Sequence, residues 1–134
     1  MKTIASLTTR SGGAPWRADM QTGAHALVAD EPATAGGQDA GPSPYGYILA
    51  GLGACTAMTL RMYAQRKGWD LGEVQVALTL RKDDEGATHI ARELTCSAPL
   101  DEEQWQRLLD IAGKTPVTRT LMAGSAITTR RADP

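Results

Sequence analysis

From Pro44 to Leu60 the chain carries no charged side chain, and small or apolar residues fall on every side of any helix drawn through it. Such a segment reads as a buried helix rather than an amphipathic surface one. Ser43 or Gly41 can cap it, and Pro44 suits a first turn, where the missing N–H costs nothing. Arg61, Arg66 and Lys67 load positive charge near its end, and Gly68 can stop it, so the pattern predicts a helix from Pro44 to about Lys67. Gly51, Gly53, Ala54 and Ala57 allow another helix or sheet to come close.

The rest of the chain alternates more conventionally. Val74, Val76, Leu78 and Leu80 alternate with Glu73, Gln75, Ala77 and Thr79, which predicts a half-buried strand over 74–81. Asp83-Asp84-Glu85-Gly86 reads as a hairpin turn and 88–97 as the return strand. Trp105, Leu108, Leu109 and Ala112 share one face of a second helix over 101–112, which Gly113 can end. Thr115-Pro116 starts a short turn or helix, and 124–130 reads as a last strand. Before the long helix, residues 2–9 read as an edge strand, 16–29 as further short strands, and 30–41 as a loop. In that loop Asp30 and Glu31 are placed to cap or order the backbone. The order of elements is an α+β fold, with helices against an antiparallel sheet, and one domain over residues 1–134.

Composition changes this picture in one respect. A hydrophobic share of 42% can build a core, but aromatics make up 4% and Phe is absent, so aliphatic and Met packing must dominate. A lone chain of this length buries only about two-thirds of its unfolded surface. So apolar a helix in so small a chain points to a second subunit. The 14 basic and 15 acidic residues form no basic patch, so nucleic-acid binding has no support. The apolar segment is too short to span a membrane, for which about 20 residues are needed. The start Met1-Lys2-Thr3-Ile4 has no signal-peptide pattern. Two cysteines make no disulfide framework, which leaves a reducing cytoplasm as the expected compartment. His25 and His89 have no metal-like spacing to Cys55 or Cys96, so neither metal nor cofactor is expected.

Cys55 sits in the middle of the uncharged helix. A thiol there is either a small packing group or a protected redox centre. A reactive cysteine must be a thiolate, and burial alone raises its pKa, so a positive group has to face it. Cys96, late in the return strand, reads as a small core residue or as a second thiol able to reach an oxidised Cys55.

Several strings belong together: His25-Ala26-Leu27-Val28-Ala29-Asp30-Glu31-Pro32, Gly41-Pro42-Ser43-Pro44, Leu52-Gly53-Ala54-Cys55-Thr56, Lys67-Gly68-Trp69 and Pro116-Val117-Thr118-Arg119-Thr120-Leu121. Together, over roughly residues 24–130, they resemble the OsmC/Ohr family of osmotically inducible and organic-hydroperoxide-resistance proteins. The resemblance implies an intertwined homodimer, with each cysteine-bearing helix buried between two sheets. It also implies a thiol peroxidase acting on organic hydroperoxides, with Cys55 as nucleophile and an arginine, Arg17 or Arg10, holding it ionised. Two expected groups are replaced. Thr115 stands where the resemblance implies a resolving cysteine, and Thr118 where it implies a histidine. Tyr45 and Gly46 occupy the positions where a carboxylate is implied. A one-cysteine cycle is then expected, with an external thiol reductant or Cys96 resolving Cys55. The alternative is a non-catalytic dimer that binds a small apolar ligand or a partner at its subunit interface.

Overall fold

The computed structural model describes residues 1–133 of the 134-residue chain. Its contacts group into two compact units, Met1–Ala50 and Gly51–Pro134. The long helix α1, Pro44–Lys67, runs through the boundary.

The first unit is an antiparallel meander in the order β1-β2-β3, with β1 at Thr8–Arg10, β2 at Ala18–Thr22 and β3 at His25–Ala29. Gly23, at φ 56°, makes the tight turn between β2 and β3. The expected edge strand over 2–9 is shorter: only Thr8–Arg10 pairs, in register with Gln21 to Asp19. The loop after β3 is organised by Asp30, whose side chain is almost fully buried and accepts from the backbone N–H groups of Glu31, Gln38 and Ala40 at 2.8–3.2 Å. Burial pushes this carboxyl up, but the three N–H donors and the charge of Arg17 outweigh it and hold it below the usual range. Gly41 is required here, because any side chain would collide with the Val28 carbonyl. The Tyr47 hydroxyl donates to that carbonyl at 2.6 Å. At the start of α1 the Ser43 hydroxyl accepts from the Gly46 N–H at 3.1 Å, as expected of a capping serine.

The second unit holds most of α1, the hairpin of β4 (Val74–Lys82) and β5 (Thr88–Cys96), and two further helices, α2 (Glu102–Ala112) and α3 (Pro116–Ala123). β4 pairs with β5 from Val74↔Cys96 to Lys82↔Thr88, and its burial alternates from Val74 to Arg81. The Asp83 carboxylate closes the turn by accepting from the Glu85 and Ala87 N–H groups, both at 2.9 Å. Gly68, at φ 70°, ends α1 in the left-handed conformation that a helix stop requires. α2 begins with a reciprocal cap between Asp101 and Gln104, at 2.7 and 2.9 Å. The core is Leu60, Ala64, Leu71, Leu108 and Ala112, with Trp69, Trp105 and Cys96 packed against it.

Two expectations are corrected. Within the single chain α1 is not buried all round: Leu52, Thr56, Leu60 and Ala64, a stripe of every fourth residue, are buried, while Ile48, Met58 and Met62 are exposed. Residues 124–130 form no strand. They are β-prone, but a strand needs a partner, and the described residues supply none.

Candidate active site

Helix α1 carries Cys55, partly exposed, one position before the buried Thr56. What faces the sulfur comes from three elements of the second unit. From α1 itself Thr59 lies one turn on, with its hydroxyl 3.9 Å from the sulfur. From the start of α3 come the Val117 N–H and the Thr115 hydroxyl. From β5 comes the charge of Arg92. Thr115 caps α3 and Pro116 opens it, so Val117 presents one of the free N–H groups at a helix N-terminus. Such an end attracts negative charge. Burial pushes the Cys55 thiol up. The Val117 N–H, the Thr115 and Thr59 hydroxyls and the Arg92 charge outweigh it, and the thiol lies below its ordinary value.

Arg92 is half-buried and its guanidinium is held by three acceptors. Nη1 donates to the Thr56 hydroxyl and to the Thr118 hydroxyl, each at 2.9 Å, and Nη2 donates to the Ala112 carbonyl at 2.7 Å. Thr118 in turn lies 2.7 Å from Thr115, oxygen to oxygen. Both threonines are buried, at 1% and 6% exposure, as is Thr56 at 0%. A buried hydroxyl needs a partner, and each of these has one.

Arg17 and Arg10, the arginines expected beside Cys55, both stand beside Asp19 in the first unit. Arg17 forms an ion pair with it at 3.0 Å, and Arg10 is its strand partner. Arg92 was not singled out from the sequence, although its signal is there. On β5 the inward positions are Ile90, Arg92, Leu94 and Cys96, and Arg92 is the one charge among them. A charged residue on the buried face of a strand must be paired or hydrogen-bonded. Cys96 has a different setting from Cys55. Burial pushes its thiol up, only partly offset by Arg61, and it packs against the core.

The match that identifies the fold extends over residues 36–130, where the sequence fits the OsmC-like protein family. The chain belongs to this family. Solved structures agree. An OsmC-like protein from Mycoplasma pneumoniae superposes with a TM-score of 0.73 at 17% identity, over 91% of this chain and 89% of that one. The organic hydroperoxide resistance protein OsmC of Legionella pneumophila gives 0.67 at 19% identity, over 90% and 91%. The organic hydroperoxide resistance protein OhrB of Bacillus subtilis gives 0.61 at 25% identity, over 88% and 90%. No curated protein sequence matches the chain. Among the described residues no helix is long and apolar enough to cross a membrane. In this OsmC-like chain, then, Thr115 and Thr118, at the positions where the resemblance implied a second thiol and a histidine, are buried hydroxyls.

Proposed function

We propose that the protein reduces organic hydroperoxides, with Cys55 as the nucleophile. The observation that carries this reading is the setting of the Cys55 sulfur, at the N-terminus of α3 and under the charge of Arg92, which favours the thiolate. The family and the hydroperoxide-resistance proteins among its structural neighbours support the substrate class.

In the first step the Cys55 thiolate attacks one oxygen of R–O–O–H. An S–O bond forms and the O–O bond breaks. Sulfur is oxidised to a sulfenic acid, and the departing RO⁻ takes a proton and leaves as an alcohol. In the second step an external thiol attacks the sulfenic sulfur, a mixed disulfide forms, and water departs. A second external thiol then releases Cys55 and carries off the oxidised disulfide. The external thiol is favoured over Cys96 because Cys96 is held protonated by burial and packed into the core. The cycle suits a homodimer in a reducing cytoplasm.

Loss of tert-butyl hydroperoxide in the presence of dithiothreitol tests the reading. Wild type is expected to turn over and Cys55→Ser to fall to background; equal rates reject the proposal. Cys96→Ser is expected to keep full turnover, whereas a stop after one equivalent would make Cys96 the resolving thiol.

One observation favours a second reading. A pocket of about 490 Å³ opens between β5, α2 and α3, lined by Ile90, Leu94, Leu109, Leu121 and Met122 together with Arg92 and Thr118. Cys55 does not line it. A non-catalytic relative holding a small apolar ligand there would show no Cys55-dependent peroxide loss.

A further inference from the structure

Counting donors leaves part of Arg92 unused. A guanidinium carries five N–H groups. Three are given away: Nη1 donates to Thr56 Oγ1 and Thr118 Oγ1, and Nη2 donates to the Ala112 carbonyl. Thr118 Oγ1 and the Ala112 oxygen lie 3.3 Å apart, close enough to share the edge between Nη1 and Nη2. The second Nη1 proton then serves Thr56. What remains is the Nε–H and the outer N–H of Nη2, two parallel donors on one edge, the arrangement that meets a carboxylate with two hydrogen bonds. Among the described residues no buried side-chain nitrogen lacks a partner, so the unbonded Nε is open to space.

The charge is unmatched as well. All three acceptors of Arg92 are neutral. Arg92 lines the pocket of about 490 Å³ between β5, α2 and α3, and it is the one charged residue that does so. The other lining residues are aliphatic, apart from Thr88 and Thr118, and all belong to the second unit. Leu109, Leu121 and Met122 are exposed, so apolar surface stands open on the same cavity. A half-buried cation among hydrocarbon side chains is costly until an anion joins it.

We infer that this pocket binds an apolar carboxylic acid as its anion, with the carboxylate across the Nε–Nη2 edge of Arg92 and the hydrocarbon tail along Ile90, Leu94, Leu109, Leu121 and Met122. One guanidinium balances a monoanion, and no second cation lines the cavity to balance a phosphate dianion. Cys55 does not line the cavity. The inference therefore goes beyond the peroxidase reading and stands without it, and its test uses no hydroperoxide.

The probes are octanoate, octanol and octylammonium, titrated into the protein at neutral pH by isothermal titration calorimetry. Octanoate is ionised there. It is expected to bind saturably, and octanol about tenfold more weakly, because the charge-assisted hydrogen bonds are lost. Octylammonium is expected to bind more weakly still. The Arg92 Nε–H resonance is expected to shift with octanoate and to stay in place with octanol. Arg92→Met should bring octanoate down to the affinity of octanol. Should circular dichroism show Arg92→Met unfolded, Leu121→Glu decides, since it sets a carboxylate on an exposed position of the same cavity. It is expected to weaken octanoate by at least tenfold and to favour octylammonium. Failure of octanoate to saturate the wild type overturns the inference. So does octanol binding as tightly as octanoate, an unmoved Arg92 Nε–H resonance, or wild-type octanoate affinity in folded Leu121→Glu. Tighter binding of octyl phosphate than of octanoate also overturns it, since the head group would then be a phosphate. Equal peroxide consumption by wild type and Cys55→Ser would reject the peroxidase reading and leave octanoate binding untouched.

Discussion

A guanidinium on the inward face of β5 is tolerable only because nearly every acceptor near it is used. Arg92 meets Thr56, Thr118 and the Ala112 carbonyl, and its charge is felt at the Cys55 sulfur. Removing it should therefore have two separable effects. Arg92→Met leaves the Ala112 carbonyl and two buried hydroxyls short of a donor, and is expected to cost about 1–3 kcal/mol in urea unfolding. It also removes the cation, so alkylation of Cys55 is expected to slow at neutral pH. Arg92→Lys keeps the charge but has no planar fork to reach three acceptors. It is expected to lose stability while keeping much of the alkylation rate. The two thiols of the wild type should also differ in order. Cys55 lies below the ordinary thiol value and Cys96 above it, so between the two Cys55 is ionised and Cys96 is not. Limiting iodoacetamide near neutral pH is expected to modify Cys55 first, as read by peptide mass spectrometry. The sign for stability follows. A depressed thiol pKa stabilises the folded protein above the ordinary thiol value, and that contribution fades as pH falls through the lowered one.

The loop between β3 and α1 makes the same point with a carboxylate. Asp30 accepts three backbone N–H groups, and without it the turn over Pro32–Gly41 has no centre. Its pKa is depressed in the folded protein, so its contribution is present above the ordinary carboxylate range and is lost as pH falls through the lowered value. Asp30→Asn is expected to lower the melting temperature at neutral pH. It should also flatten the fall in melting temperature as pH drops through and below the ordinary carboxylate range. An acid profile parallel to wild type would count against this role. Legibility follows how local each constraint is. Helix α1 could be read from Ser43, Pro44 and Gly68, and the β4–β5 hairpin from its alternation and the Asp83–Gly86 turn, because these signals lie within a few residues of what they set. Residues 124–130 misled because a strand depends on a distant partner that β-propensity does not supply. Arg92 was overlooked because its partners Thr56, Ala112 and Thr118 lie 20 to 36 residues away along the chain. In the sequence only its place between Ile90 and Leu94 marked it.

The described residues leave twelve large apolar side chains exposed, among them Ile48, Met58, Met62, Leu109, Leu121 and Met122. Both strands of the β4–β5 hairpin and the outer strands of the meander have an unpaired edge. Neither feature suits a lone chain in water, since open edges and exposed apolar clusters invite association. Met58 and Met62 lie one turn apart, on the face of α1 away from the Leu52–Thr56–Leu60–Ala64 stripe. If that face is covered by a second copy, light scattering is expected to give a mass about twice the 14.2 kDa of one chain. The melting temperature should then rise with protein concentration, because association stabilises by mass action. Met58→Glu with Met62→Glu places two charges where burial is expected, and should lower both the mass and the melting temperature. Gln106→Lys adds a charge at an exposed position of α2, beside Glu102, and should change neither. A wild type that stays at the single-chain mass at micromolar concentration, with a melting temperature indifferent to dilution, would remove the dimer and leave the exposed face of α1 to some other partner.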